Sequence, residues 1–382
     1  MPRMIALWDL SNSEAGWITA IFYGAYMVSV PVLVTLSDRI DPKRIYLFGV
    51  AATVAGHVLF ALYADGFWTA LLTRALTGMG WAGTYMTGLK LLADRVDPTT
   101  MSRATASHAA SIGISGALSF AVGDLVADLY GWRAAFFFAG ITSAAAWIMI
   151  LLCIPHRRTS VDRTPGAGAL FDFRPVLRNR SAMAYAFAYA MHTLEMSALR
   201  GWAVAFLGFV AINTGMSGTT VSPAVVVTVL GLIGTVASVG GNEAAIRFGR
   251  RRLIHIAILS SVCLALLTGF VGVHGYWLAA GLLFAYGFVI WLDSSSLTAG
   301  TAGTAEPSRR GATLAVHSML GYAGGFIGPL LVGIVLDAFG GMSNSSWAFA
   351  FSAMALCMLI SFVVFMWLKP DELAGDRQRD TR

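Results

Sequence analysis

The chain has 382 residues, of which 57% are hydrophobic and only 12% charged, with 41 glycines and a formal charge of +6. A water-soluble domain carries about twice that charged fraction, so the composition excludes an ordinary soluble globule and places most of the chain in lipid. The positive balance alone would admit nucleic acid as a partner, but the positions of the cations, below, give it another meaning.

Apolar runs of about 20 residues suffice to cross a hydrocarbon core roughly 30 Å thick. Eleven such runs occur, near 15–36, 44–63, 67–92, 103–127, 133–154, 181–208, 219–241, 253–272, 276–301, 310–336 and 346–368. Residues 1–14, with Arg3, Asp9 and Glu14, are too polar for a full span and lack the charged-then-apolar layout of a signal peptide. Cys153, Cys263 and Cys357 all sit in apolar runs, as small core residues rather than a disulfide framework.

The loops alternate in charge. Loops 37–44, 90–103, 155–180, 242–252 and 304–310, together with the tail from 369, hold 22 of the 26 Lys and Arg residues. Lys and Arg accumulate on the cytoplasmic side of a membrane, which makes these loops, the 155–180 linker and the C-terminus cytoplasmic. Trp17, Trp68, Trp132, Trp277 and Trp347 fall near the opposite ends of spans, as an interfacial belt requires. Segment 155–180, with three prolines and six arginines, divides the chain into membrane halves at 1–154 and 181–368, followed by a tail at 369–382.

The first cation-rich loop, Val34 to Arg44, reads V-T-L-S-D-R-I-D-P-K-R. Asp38-Arg39 and Lys43-Arg44 bracket the Asp41-Pro42 turn, so a carboxylate can cap nearby helix ends while the cations stay at the membrane face. The halves also repeat. At a shift of 209, Asp97-Pro98 falls on Glu306-Pro307, His108 on His317, Gly116 on Gly325, Asp128 on Asp337 and Gly131 on Gly340. At a shift of 208, Arg39, Lys43 and Arg44 fall on Arg247, Arg251 and Arg252, with Gly249 and Arg250 completing the second copy of the loop.

Over nearly its whole length the chain resembles the major facilitator superfamily of transporters, whose loop signature the Val34–Arg44 stretch partly reproduces. The resemblance implies an all-α integral membrane protein of two pseudo-symmetric helical halves, with the substrate site near the midplane between them. It also implies conformational-switch roles for Asp38, Arg39, Lys43, Arg44, Arg247, Arg250 and Arg251. Such folds have twelve helices. The repeat places the partner of span 181–208 before Met1, so the first helix of the family pattern is expected to be missing from this sequence through a late start, the alternative being a true eleven-span variant.

A buried ionisable group inside a membrane is costly and tends to mark a substrate or ion path. Arg74 opens R-A-L-T-G-M-G-W-A-G, which is similar to the superfamily's fourth-helix signature, and the resemblance implies substrate or proton handling for it. Snorkelling to the surface is the competing reading. Gly78, Gly80 and Gly83 spell the dinucleotide fingerprint, yet they lie in an apolar run with no strand before them, so helix packing explains them.

Span 181–208 carries most of the chemistry. Tyr185, Tyr189, His192, Glu195 and Met196 follow a helical spacing along one side, with Glu195 about 14 residues in, near the midplane, and Tyr185, Tyr189 and Met196, with Ser294, are expected to line the cavity. A desolvated carboxylate there, one turn from His192, can take up and release a proton. Arg200 lies on a different face, suited to another helix or an anionic substrate. Asp293, with Ser294 beside it, is the other deep carboxylate and suits a hydrophilic cavity wall or an interhelical hydrogen bond. A polar cluster that merely holds helices together is the alternative to function for the whole group. His108 and His317 read as structural, Asp128 and Asp337 as caps, and Gly324 to Pro329 as a packing and kink motif.

No enzyme motif is present: neither C-x-x-C, H-E-x-x-H, G-x-S-x-G nor a phosphate loop with its lysine. The expected function is secondary transport of a small solute by alternating access in the cytoplasmic membrane, coupled to protons, with no cofactor or metal. Drug efflux and a non-transporting receptor on the same fold are the alternatives. The expected partners are the solute, protons and the bilayer, with no nucleic acid, and the chain is expected to act as a monomer.

Overall fold

The computed structural model describes residues 2–37, 40–93, 95–96, 101–155, 173–216, 221–306, 309–373 and 376. Asp38 and Arg39, most of the 155–180 linker, the Asp97-Pro98 and Pro307 members of the repeat and the end of the tail lie outside the described residues. In chain order the helices are α1 (Pro2–Trp8), α2 (Asn12–Leu36), α3 (Pro42–Tyr63), α4 (Phe67–Ala82), α5 (Tyr85–Ala93), α6 (Met101–Tyr130), α7 (Trp132–Cys153), α8 (Arg174–Arg178), α9 (Arg180–Asn213), α10 (Pro223–Phe248), α11 (Arg250–Phe270), α12 (Tyr276–Leu292), α13 (Ser294–Gly303), α14 (Arg310–Ala338) and α15 (Asn344–Leu368). The chain forms two compact units, one of Trp17–Pro165 and one of Met1–Gly16 with Gly166–Arg382.

Among the described residues, ten helical segments are long and apolar enough to cross a membrane, against the eleven runs read from the sequence. The difference is the run 67–92, which is two helices of 16 and 9 residues. The glycine-rich stretch after Thr77 tightens at its end, with Gly83 N bonding Gly80 O at 3.1 Å and Thr84 N bonding Trp81 O at 3.1 Å. Shortened turns of this kind stop an α-helix. The run 276–301 breaks as well, at Asp293 between α12 and α13. Thr84 and Asp293 are 209 positions apart, so the interruption is part of the repeat.

In the larger unit α9 is the hub, packing on α10, α12, α13, α14 and α15. Its alternating alanines from Ala182 to Ala190 leave room for neighbours, and all of them are buried. The tightest partner is α14. A Cβ on Gly324 would run into the Ala190 carbonyl, and one on Gly328 into the Leu194 carbonyl, so only glycine allows this approach. Thr193 Oγ1 donates to Gly321 O at 2.6 Å, and Trp202 Nε1 donates to Pro329 O at 2.8 Å, fixing the register of the two helices. The Gly324–Pro329 motif is therefore a helix-packing surface, as its sequence suggests. In the smaller unit α3 packs on α4 and α7, and α6 packs on α7.

The start of α2 is capped twice. Ser11 and Glu14 form a reciprocal box, with Ser11 N to Glu14 Oε2 at 2.9 Å and Glu14 N to Ser11 Oγ at 3.2 Å. Asp337, near the end of α14, accepts from Asn12 N at 3.0 Å and Asn12 Nδ2 at 2.8 Å through Oδ1, and from Ser13 N at 2.7 Å through Oδ2. The capping role read for Asp337 is thus exerted on a helix at the far end of the chain.

Candidate functional site

Glu195 sits in the middle of α9 with no exposed surface. Its Oε1 accepts from Tyr286 OH of α12 at 2.8 Å and from Ser261 Oγ of α11 at 3.0 Å. Its Oε2 is buried without a partner. Two hydroxyl hydrogens converge on one oxygen, and the other accepts none. A buried polar atom left unpaired costs free energy, so a site that keeps one calls for an explanation beyond packing.

One turn earlier on α9, His192 Nδ1 lies 3.0 Å from Asp293 Oδ1, with both side chains nearly fully buried. The distance suits an ion pair once the imidazole is protonated, although the N–H is not aligned on Oδ1 as a hydrogen bond. Asp293 is the residue that separates α12 from α13. Tyr189 stacks on His192 at 5.8 Å between ring centroids and on His317 of α14 at 4.0 Å. Trp291 meets the His192 ring edge-on at 6.2 Å.

His317 is held on both nitrogens, by Thr301 Oγ1 at 3.0 Å from Nδ1 and Thr298 Oγ1 at 3.3 Å from Nε2. Thr301 donates its own hydrogen to Leu297 O at 3.0 Å. Thr298 likewise donates to Ser294 O at 3.3 Å, so the two threonine hydroxyls tie the His317 ring to the backbone of α13. The structural reading of His317 agrees with this geometry.

The residues predicted along one side of α9 divide. Glu195 and His192 turn inward to α11, α12 and the helix break. Met196 and Arg200 lie half-buried on a more open side with Tyr189. Tyr185 is fully buried, but its hydroxyl donates to Asp371 O at 2.8 Å, which takes it away from the acidic pair and toward the segment after α15. Ser294 is half-buried at the start of α13, while its neighbour Ser295 contacts Ser238 of α10 at 2.6 Å between hydroxyls. Arg74 belongs to the other unit, where its guanidinium lies 5.1 Å over the Phe22 ring. That is cation–π distance.

Ser261, Tyr286, Thr298 and Thr301 were not singled out from the sequence. Ser261, next to Ser260, and Tyr286 are hydroxyls in apolar helices, a signal too common to stand out without a partner in view. Among the described residues no group of three or more His, Cys, Asp or Glu is arranged to hold a metal ion.

The cation loops have different fates in the two units. Asp41 caps α3 by accepting from Lys43 N at 3.0 Å. The Lys43 ammonium is buried and donates to the carbonyls of Leu151, at 2.9 Å, and Ile154, at the end of α7. Arg44 is exposed, and Arg247 pairs with Glu243 one turn earlier on the open surface of α10. Arg250 is 2% exposed and Arg251 half-buried, both at the start of α11.

A family model described as Major Facilitator Superfamily matches residues 1–241 and again 185–381. The chain belongs to the major facilitator superfamily. Its two overlapping matches run across nearly all of the sequence. The chain is 22% identical over 381 residues to the sphingosine-1-phosphate transporter SPNS2 of Xenopus tropicalis, covering 94% of this chain and 73% of that one. It is 26% identical over 219 residues to human protein spinster homolog 1, covering 54% of this chain and 41% of that protein. So the match spans only about two-fifths of the human relative. Among solved structures, a bacterial homolog to the human lysosomal transporter Spinster, in an inward-facing and occupied conformation, superposes with a TM-score of 0.77 at 15% identity, covering 99% of this chain and 93% of that one. That likeness is one of fold. A major facilitator family member of this architecture is a multi-pass membrane transporter of a small molecule.

Proposed function

We propose that this transporter is proton-coupled and moves its solute by alternating access, with Glu195 carrying the proton and the His192–Asp293 pair as a second contact on the coupling path. The observation that carries the reading is the fully buried Glu195 carboxyl, which takes two hydroxyl donors on Oε1 and none on Oε2. An intramembrane carboxyl that can hold a proton without rebuilding its surroundings suits a coupling group. Arg74 and Arg200 are assigned to charge balance and to the substrate. The protein acts as a monomer in the cytoplasmic membrane, with the 155–180 linker and the C-terminus cytoplasmic.

The frog relative's name adds a second reading, the transport of an amphipathic phosphate, for which Arg200 on the half-open side of α9 is suited. Flux of a solute panel into liposomes holding the purified protein, with and without an imposed pH gradient, tests both. Accumulation that follows the gradient supports coupling, and flux unchanged when the gradient is collapsed overturns it. A lipid phosphate transported in preference to small polar solutes favours the second reading.

A further inference from the structure

The segment after α15 is more than a charged end. Asp371 accepts from Ser181 Oγ of α9 at 2.7 Å and returns a bond from its own N–H to that oxygen at 3.0 Å. The Tyr185 hydroxyl donates to the Asp371 carbonyl, also from α9. Glu372 caps α11, accepting from Arg250 N at 3.0 Å on Oε2 and from Arg251 N at 3.1 Å on Oε1. Asp376 takes Arg250 in a two-pronged pair, Nε to Oδ2 at 2.9 Å and Nη2 to Oδ1 at 2.9 Å, with both side chains about 97% buried or more. The remaining Arg250 nitrogen, Nη1, donates to Asn242 Oδ1 of α10 at 3.0 Å and to Ser296 O of α13 at 3.1 Å.

These contacts surround α13, whose first residue follows Asp293. Ser296 is held by Arg250, Gly300 packs against the Tyr185 ring, and Gly303 packs against Leu373. The short half-helix is therefore fastened at its beginning, middle and end by the tail or by residues that the tail holds. The pattern is also the counterpart of the first unit: Lys43 at the start of α3 grips the exit of α7, and Arg250 with the α11 N-terminus grips the exit of α15. Among the described residues, the first grip is on backbone carbonyls and the second is on carboxylates.

We propose that the cation-rich end of this unit is a binding site for acidic side chains, occupied by the chain's own Asp371, Glu372 and Asp376, and that its occupancy clamps α13. The site recognises three carboxylates in a fixed order: one at the α9 serine, one at the α11 N-terminus and one on the buried Arg250 guanidinium. Removing them frees the half-helix that presents Asp293.

The test uses the full chain carrying Asp371→Asn, Glu372→Gln and Asp376→Asn, with the three native cysteines replaced by alanine and Ala302→Cys in α13 as a reporter. A fluorescent peptide of residues 369–382 is titrated onto it. The peptide is expected to bind this variant about ten-fold more tightly than the unaltered chain, whose site is filled, and to slow modification of Cys at position 302 by an impermeant maleimide. Equal affinity for both chains, or a modification rate indifferent to the peptide, overturns the proposal. If the triple variant does not fold, Glu372→Gln alone leaves the Arg250–Asp376 pair in place. It is expected to raise the modification rate about three-fold through loss of the helix-terminal carboxylate, and an unchanged rate overturns the clamp.

Discussion

Tyr286 hands its hydroxyl hydrogen to Oε1 of Glu195 across 2.8 Å, from one buried helix to another. With Ser261 on the same oxygen, the carboxyl is oriented from two helices at once and its second oxygen is left free. The arrangement makes Glu195 the group whose chemistry is easiest to separate from its packing.

Glu195→Gln keeps an oxygen to accept from Tyr286 and Ser261 but holds no exchangeable acidic proton. Gradient-driven accumulation is expected to disappear while solute exchange across the same liposomes persists. Accumulation that survives the substitution removes Glu195 from coupling.

Tyr286→Phe deletes one donor with almost no change in volume. A net loss of about 1 kcal/mol in stability is expected if Glu195 is neutral, and about 1.5–3 kcal/mol if it is ionised, since bonds to charged groups are stronger. Denaturation of the purified variant in detergent distinguishes the two.

Asp293→Asn leaves His192 beside a neutral amide. The expected result is a transporter that folds and binds solute, with its dependence on pH altered relative to the unaltered chain. Parallel pH profiles of the two, taken by flux and by solute binding, decide whether the pair takes part in coupling.

Asp337→Ala strips the cap from Asn12 and Ser13. Loss of an N-cap costs about 0.5–2 kcal/mol, and the Ser11–Glu14 box is expected to keep the loss toward the lower end. A thermal midpoint unchanged from the parent would show that the box alone suffices. At the opposite extreme, Gly324→Leu drives a side chain into the Ala190 carbonyl, and the protein is expected not to accumulate in the membrane, judged by expression of a tagged chain.

Much of this architecture was legible because hydropathy and the cation count act over 20 residues at a time. The runs near 181–208 and 310–336 coincide with α9 and α14 to within a few residues. The break in 67–92 was hidden because Gly78, Gly80 and Gly83 read equally well as packing residues in a straight helix. At the site, Glu195, His192 and Asp293 were visible as ionisable groups out of place in lipid. Their hydroxyl partners were not, because the distances from Glu195 to Ser261 and Tyr286 along the chain are 66 and 91 residues. Tyr185 was assigned to the cavity side by helical spacing, and the tail that claims its hydroxyl had no periodicity to announce it.

The Asp337 cap also has a bearing on biosynthesis. Asn12 leaves the ribosome 325 residues ahead of the carboxylate that completes it, about 15–65 s at ordinary elongation rates. During that interval the first turn of α2 has only its local box. Synthesis of α14 is thus the event that finishes α2, and a ribosome stalled before position 337 leaves the first turn of α2 with half its capping.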